Sequence, residues 1–96
     1  MIESFKQKEL EAYWRKGRWF KKLPIMAASR VLDKLDLINA AHSEAELRCP
    51  PGNRFEHLSG NLKGWCSIRV TKQWRLIFQW GEGVATNVYL DPHKYE

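Results

Sequence analysis

Cysteine is scarce in this sequence, and long apolar runs are missing. The 96 residues contain two cysteines, Cys49 and Cys66, in neither a CxxC pair nor a disulfide-dense pattern. This spacing predicts reduced thiols and a cytoplasmic protein, although sequence alone does not exclude a disulfide. No apolar stretch approaches the roughly 20 residues that span a bilayer, and no secretory leader pattern is present. We therefore expect neither export nor membrane insertion.

Internal repeats, low-complexity tracts and linker-like segments are also missing, which predicts a single domain over residues 1–96. Acidic residues are in the minority: 16 Lys and Arg face 11 Asp and Glu, for a net charge of +5. The excess lies in residues 1–22, with seven bases and three acids, and in residues 51–96, with six and four. Because no basic amphipathic face is evident, this balance favours nucleic acid or an acidic protein over a membrane as the partner.

Hydrophobic periodicity predicts a short strand and two helices, followed by β-structure. Ile2–Phe5 is the predicted strand, and Lys6–Lys16 is a helix that Gly17 ends. A second helix has Pro24 in its first turn and an apolar stripe formed by Ala28, Val31, Leu32, Leu35 and Ile38. Pro50–Asn53 then interrupts regular structure, and the apolar period changes from 3.6 to 2.

Three runs after residue 64 alternate apolar and polar side chains. The even-numbered apolar set is Cys66, Ile68, Val70, Leu76, Phe78, Trp80, Val84, Val88 and Leu90. All of it can face the helices only if each hairpin loop has an odd number of residues, because a one-residue slip turns a strand over. We predict three-residue loops at Lys72–Trp74 and Gly81–Gly83. The pairs predicted to close them are Thr71 with Arg75, and Trp80 with Val84. The expected fold is α+β, with two N-terminal helices packed on one face of a small, mainly antiparallel, twisted sheet.

The opposite face of this sheet gathers side chains that could carry chemistry: Arg69, Arg75, Tyr89 and Asp91. In the predicted register Arg75 lies across from Tyr89 and diagonal to Asp91. Pro92 cannot donate to the ladder, so it ends the strand and lets His93 reach the same face. A solvated strand face with incidental ion pairs is the alternative interpretation.

Arg75, Asp91 and His93 together suit cleavage of an RNA phosphodiester. Attack by a 2′-OH needs a base for its proton, an acid for the leaving 5′-oxygen and a fixed cation for the phosphorane charge. Histidine serves as acid or base near neutral pH, and arginine binds two phosphate oxygens at once. This chemistry requires no metal and no cofactor, but a D-x-H tripeptide alone is common by chance.

Further residues are candidates for RNA binding. Trp74 is placed to stack on a base or, equally, to cover a sheet edge. His57 could transfer protons or bind RNA, with an idle loop histidine as the alternative. The remaining candidates are predicted to contact phosphates, with plain solvated charges as the alternative: Arg54, Lys63 and Lys72.

Four segments carry a family resemblance: PPGNR at residues 50–54, LSGN at 58–61, GWCSIRV at 64–70 and QWRLIF at 73–78. Together with the acid-and-histidine tail they resemble the HigB toxins, the plasmid-maintenance killer branch of the RelE-like superfamily. The resemblance implies a RelE-like fold and a type II toxin that enters the A site of the 70S ribosome and cuts mRNA without a metal. It also implies a HigA-like helix-turn-helix antitoxin, with operator DNA bound only through that antitoxin.

The resemblance also assigns roles to individual residues. Arg75 matches the family arginine at the scissile phosphate, and Arg69 matches the basic position on the preceding strand. Asp91 and His93 match the acid and the histidine of the usual D-Y-H ending, in which Pro92 here replaces the tyrosine.

Two departures from the family pattern follow. Tyr89 and Tyr95 are the candidates to replace the missing tyrosine. Lys63 is the candidate to supply the charge of a family lysine where this chain has Ser59. Two rival functions remain open at this point: a same-fold toxin that inhibits DNA gyrase, and an inactive antitoxin-binding module disarmed by Pro92.

Overall fold

Helices occupy the first half of the chain and strands the second. The computed structural model describes residues 1–92. Within them lie α1 (Lys8–Lys16), α2 (Ala28–Ala40), α3 (Glu44–Leu47), β1 (Glu56–His57), β2 (Cys66–Arg69), β3 (Trp74–Gly81) and β4 (Val84–Pro92). These strands form one antiparallel sheet in the order β1-β2-β3-β4. The helices pack against one face of this sheet, so the predicted α+β class is confirmed.

The helix α1 begins two residues later than predicted. The amides of Lys6 and Gln7 donate to the carbonyl of Val88 in β4, so this stretch follows the sheet before the helix starts. At the other end Gly17 takes a left-handed conformation, with φ of 71°, and its amide donates to the Tyr13 carbonyl at 2.9 Å. A residue without a Cβ adopts this conformation without strain, which explains the predicted end of the helix.

The helix α2 carries the predicted apolar stripe. Val31, Leu35 and Ile38 are fully buried and belong to the same hydrophobic core as Ile68, Leu76, Phe78 and Val88 of the sheet. Pro24 does not sit in the first turn of the α-helix itself, because a short 3₁₀ turn, Ile25–Ala27, comes between them. Each fully buried large aliphatic side chain stabilises the fold by about 1.5–3 kcal/mol.

The hairpin between β2 and β3 has a loop of the predicted length at a different place. Arg69 pairs with Arg75, and the Val70 amide donates to the Trp74 carbonyl at 2.9 Å, so the loop is Thr71–Gln73. The predicted loop Lys72–Trp74 is therefore wrong by one residue. The predicted partner of Arg75, Thr71, is wrong by two residues, because the observed partner is Arg69. The odd loop length is right, and it keeps the even-numbered residues of both strands on the helix-covered face.

The hairpin between β3 and β4 differs from the prediction in its turn. Gly81 pairs with Val84 across a two-residue turn, Glu82–Gly83, in which both residues have positive φ. Such turns match the right-handed twist of the strands. The predicted three-residue loop and its pairing of Trp80 with Val84 are wrong. As a result Ala85, rather than Val84, is the buried residue at the start of β4.

A bulge in β4 restores the predicted face for the rest of the strand. Gln79 pairs with Thr86, but Ile77 pairs with Tyr89, so one extra residue is inserted in β4. Asn87 occupies this bulge with φ of 54°, a conformation that asparagine tolerates better than most residues. Beyond the bulge Val88 again faces the core, where the prediction placed it.

The N-terminal segment lies along the outer edge of β4. Ile2 and Phe5 form isolated parallel bridges with Ala85 and Val88, so the predicted strand Ile2–Phe5 is reduced to two bridges. The Gln7 side chain accepts a hydrogen bond from the Leu90 amide at 3.0 Å, which satisfies a donor that the sheet edge leaves open. Among the described residues no helix combines the length and the apolar character needed to cross a membrane.

Candidate active site on the open sheet face

Three charged side chains lie in register across the sheet face that the helices leave open. Arg69 pairs with Arg75, and Arg75 pairs with Asp91. The Nε of Arg75 donates to Oδ2 of Asp91 at 3.3 Å, with side-chain exposures of 18% and 31%. Like charges directly opposite each other repel, and Asp91 compensates only one of the two cations. The face therefore keeps a local positive charge that an anion can neutralise.

This geometry corrects the predicted position of Arg75. The prediction placed it across from Tyr89, but its direct partner is Asp91, and Tyr89 pairs with Ile77. The two-residue turn and the bulge at Asn87 together shift β4 by two residues relative to the predicted register. The correction moves Asp91 from a diagonal to a directly opposite position, within hydrogen-bonding reach of the guanidinium.

Two adjoining depressions flank the arginines. The first, here called the small cleft, has a volume of about 40 Å³ and is lined by Arg54, Glu56, Ser67, Arg69, Thr71, Lys72, Trp74 and Arg75. Since one water needs about 10–15 Å³ of such volume, the cleft accommodates a few waters rather than a nucleotide. A polyanion larger than this volume would therefore contact the arginines from above the small cleft rather than enter it.

The second depression, here called the basic groove, is wider. Its volume is about 500 Å³, and it shares Arg54, Arg69, Thr71 and Lys72 with the small cleft. Arg30 and Lys34 of α2 add two further cations, while Asp33 is the one acid among the described residues of its lining. A groove with this balance attracts a polyanion through long-range electrostatics.

A buried asparagine fixes the loop that brings Arg54 to both depressions. Asn53 is fully buried, and its side-chain amide donates to the carbonyls of Leu47 at 3.1 Å and Cys49 at 3.0 Å. Its amide oxygen accepts a hydrogen bond from Nζ of Lys34. Arg54 follows with φ of 45°, a left-handed conformation that L-residues adopt only when their surroundings hold them there.

Tyr89 lies on the same open face, two residues before Asp91. Burial raises the pKa of the Tyr89 hydroxyl, the Asp91 carboxylate raises it further and the Arg75 guanidinium opposes them. The hydroxyl therefore stays protonated near neutral pH and can donate a hydrogen bond. Of the two tyrosines predicted as candidates, Tyr89 lies on the open face near Asp91, and Tyr95 lies outside the described residues.

The structure does not bring every predicted residue to this site. His57 pairs with Cys66, whose side chain points to the helix-covered side, and its Nε2 lies 2.8 Å from Oε1 of Glu44 in α3. Lys63 follows the turn Gly60–Leu62, before β2, at the opposite end of that strand from Arg69. Neither residue lines the two depressions. His93 lies outside the described residues.

Several residues of the site were not predicted. Glu56 lines the small cleft because it pairs with Ser67, and Arg30 and Lys34 line the basic groove. Helix periodicity places Arg30 and Lys34 on the polar side of α2 and gives no further signal for a site. The strand β1 has two residues, too few for an alternating pattern, so the sequence carried no signal for Glu56.

A family model links this arrangement to known proteins. Residues 3–93 match the model described as "RelE-like toxin of type II toxin-antitoxin system HigB". The chain belongs to the HigB-like toxin family. The resemblance in its motifs is confirmed, and membership of a toxin-antitoxin family implies an antitoxin as a partner of this toxin.

Curated relatives agree with the family model. The HigB-like toxin is 56% identical to Toxin HigB-1 of Vibrio cholerae over 95 residues, covering 99% of this chain and 100% of the relative. It is 34% identical over 85 residues to Endoribonuclease HigB of Proteus vulgaris, covering 88% and 90% of the two chains. Among solved structures, YafQ from E. coli matches with a TM-score of 0.50 at 17% identity, over 92% of this chain and 89% of YafQ. This last likeness concerns the fold alone.

Proposed function

We propose that this HigB-like toxin is an endoribonuclease that cuts mRNA in the A site of the 70S ribosome, by 2′-OH attack and without a metal ion or cofactor. The observation that supports the proposal best is the row Arg69, Arg75 and Asp91 beside the small cleft. The relative from Proteus vulgaris, which bears the name Endoribonuclease HigB, points to the same reaction.

Arg75 is the residue proposed to stabilise the transition state. Its Nε is used by Asp91, which leaves the terminal Nη groups to donate to two oxygens of the scissile phosphate. Asp91 thereby orients the guanidinium, and Arg69 beside it positions the strand. Loss of one such charge-stabilising donor costs about 2.7–4 kcal/mol in related chemistry.

Proton transfer is assigned to Asp91 and His93, as acid and base in an order that remains to be measured. Arg54 and Lys72 contact neighbouring phosphates from the walls of the small cleft and the basic groove. Trp74, in the wall of the small cleft, offers a stacking surface for a base. Because this set is sparse, we expect the ribosome to supply the substrate geometry, so free RNA should be cut poorly.

The proposed setting is the cytoplasm, where a HigA-like helix-turn-helix antitoxin binds the toxin. In this proposal the toxin reaches operator DNA only through that antitoxin. No membrane partner is part of the proposal.

The test is primer extension on a defined mRNA programmed into purified 70S ribosomes. The native toxin is compared with Arg75→Ala, with Arg18→Ala as a matched control on an exposed arginine between α1 and α2, and with a ribosome-free reaction. We expect A-site cuts by the native toxin and by Arg18→Ala, and a rate at least about a hundredfold lower in Arg75→Ala.

Two outcomes would contradict the proposal. If the folded native chain binds ribosomes but does not cut, the inactive antitoxin-binding module takes its place. If mRNA stays intact while expression causes DNA damage, the toxin acts on gyrase instead.

A further inference from the structure

A lysine from the N-terminal segment is held on the open sheet face beside the candidate active site. The Nζ of Lys6 lies 4.8 Å from the ring centroid of Tyr89 and 5.6 Å from that of Trp65. The two rings meet edge to face, with centroids 5.7 Å apart. Cations over aromatic faces are attracted by the ring quadrupole, so this pair of rings forms a platform for the ammonium group.

The backbone of Lys6 is fixed, unlike that of most surface lysines near a chain end. Its own amide donates to the Val88 carbonyl at 3.0 Å, and the neighbouring Phe5 bridges to Val88. The next residue, Gln7, accepts from the Leu90 amide through its side chain. Lys6 itself is exposed, so its ammonium group stands in solvent at the rim of the face while its backbone is part of the sheet.

The position of Lys6 relative to the scissile site follows from the strand. Tyr89, over which the ammonium group lies, precedes Asp91 by two residues, about 7 Å along a strand. Residues two apart on a strand face the same side, so Tyr89 and Asp91 share the open face, and Arg75 lies directly opposite Asp91. An RNA strand with one phosphate at Arg75 would pass the Lys6 platform with a neighbouring phosphate.

We propose that Lys6 is a second phosphate-binding residue for the RNA strand, presented by Trp65 and Tyr89 at the rim of the face that carries Arg75. This inference deepens the proposed function and rests on it, because it assigns the anion at Lys6 to the same RNA. The aromatic platform limits where the ammonium group can move, so less conformational entropy is lost when it pairs with a phosphate. The predicted contact is electrostatic and independent of base identity.

The experiment measures binding of a single-stranded RNA whose 2′-OH groups are methylated, so that it cannot be cleaved. Dissociation constants of the native toxin, Lys6→Gln, Lys6→Arg and Lys8→Gln are determined by fluorescence anisotropy over a range of KCl concentrations. Lys8 is the matched control, because it is exposed at the start of α1 two residues away. Near-ultraviolet circular dichroism verifies that each variant keeps the native fold.

We expect Lys6→Gln to bind more weakly and to lower the slope of log K against log salt by about 0.7, the value for one lost phosphate contact on a single strand. Lys6→Arg retains the charge and should keep the native slope, and Lys8→Gln should match the native toxin. An unchanged slope in Lys6→Gln, or an equal fall in Lys8→Gln, would overturn the assignment of a phosphate contact to Lys6.

The primer-extension assay on ribosomes separates this inference from the proposed function. If native toxin cuts mRNA while the salt slope of Lys6→Gln is unchanged, the assignment of a phosphate contact to Lys6 is wrong and the proposed function stands. If native toxin never cuts but Lys6→Gln still loses a phosphate contact, the nuclease assignment fails and an RNA-binding surface remains.

Discussion

At the scale of single residues, the ion pair between Arg75 and Asp91 orients the guanidinium more than it stabilises the fold. The pair is partly exposed, and pairs of this kind contribute at most about 1 kcal/mol to folding. The pair also fixes the orientation of Arg75. The Asp91 carboxylate accepts from Nε, so the remaining N–H donors of the guanidinium point away from Asp91. In the proposed reaction, Asp91 would therefore act through the orientation of Arg75 in addition to proton transfer.

Asp91→Asn tests this role against a second carboxylate in the small cleft, Glu56. We expect Asp91→Asn to lower kcat on programmed ribosomes about a hundredfold, the size of a typical acid–base contribution, with little change in KM. Glu56→Gln should lower kcat much less, because Glu56 has no described contact with Arg75. A larger loss in Glu56→Gln than in Asp91→Asn would assign the proton-transfer role of Asp91 to Glu56 instead.

Asn53 is a fully buried polar residue whose loss should cost stability, although it lines neither depression itself. Asn53→Ala would leave the carbonyls of Leu47 and Cys49 and the Lys34 ammonium group without their partner. We expect the free energy of unfolding in urea to fall by about 2–4 kcal/mol. The exposed Asn61 offers a control, since Asn61→Ala should change it by less than about 0.5 kcal/mol. Equal effects of the two substitutions would contradict the structural role of Asn53.

At the scale of elements, the hairpin of β3 and β4 combines a two-residue turn with a bulge. The turn alone would place Val88 and Leu90 on the open face, and the extra residue Asn87 turns them back to the core. The bulge therefore sets which side chains of the distal half of β4 lie on the open face and which face the helices. The presence of Tyr89 and Asp91 on the open face depends on this one inserted residue.

Two substitutions at Asn87 separate the backbone effect from the loss of its side chain. Asn87→Gly and Asn87→Val both remove the hydrogen bond to Gln79, but only valine is strained at φ of 54°. We expect the valine variant to be less stable than the glycine variant by about 1–2 kcal/mol in urea denaturation. Similar stabilities would mean that the register does not depend on the left-handed conformation at this position.

Periodicity was enough to predict the helices and the buried set, but not the pairing of strands. The stripe of Val31, Leu35 and Ile38 follows from burial on one side of a helix, a local property of the sequence. The face that a β4 side chain occupies depends only on whether the number of residues inserted between paired positions is odd or even. A two-residue turn plus one bulge residue inserts three residues, the same odd number as a three-residue loop. Val88 was therefore placed correctly by a wrong register, whereas Val84, before the bulge, was not.

The candidate site was predictable in part for the same reason. Arg69 and Arg75 flank a hairpin loop that was correctly predicted to have an odd number of residues. Their position on one face could therefore be derived from sequence. The direct pairing of Arg75 with Asp91 depends on the bulge in β4. A single asparagine in a strand is not enough to predict a bulge from sequence. Lys6 and Glu56 reach the open face through contacts with distant parts of the chain, for which single-sequence periodicity has no signal.

At the scale of the whole molecule, one thiol lies at the surface and the other lies in the core. Cys49 is exposed, whereas Cys66 is buried and its Sγ donates to the Phe78 carbonyl at 3.4 Å. Burial raises the pKa of the Cys66 thiol to about 12, and the Glu44 carboxylate adds to the shift. A buried thiol of this kind packs as a small apolar side chain and is a poor nucleophile.

This shift predicts a loss of stability at alkaline pH. A folded pKa above the unfolded value of about 8.5 means that the contribution of Cys66 is fully present below pH 8.5 and is lost as pH rises toward the folded pKa. We expect the urea midpoint of the native toxin to fall between pH 8 and pH 10.5 more steeply than that of Cys66→Ala. Cys49→Ala should follow the native profile, and parallel profiles for all three proteins would contradict the prediction.

The bridges that join Ile2 to Ala85 and Phe5 to Val88 have a consequence for the order of folding. They close the longest loops of the described chain, at an entropic cost of about 4 kcal/mol for a flexible segment of this length. Contacts of such sequence separation form late and open early, while helices and hairpins need only local closure. The amides of Lys6 and Gln7 should therefore exchange with deuterium well before those in the centre of β3. The rim that presents Lys6 is then the last part of the open face to be assembled and the first to be lost.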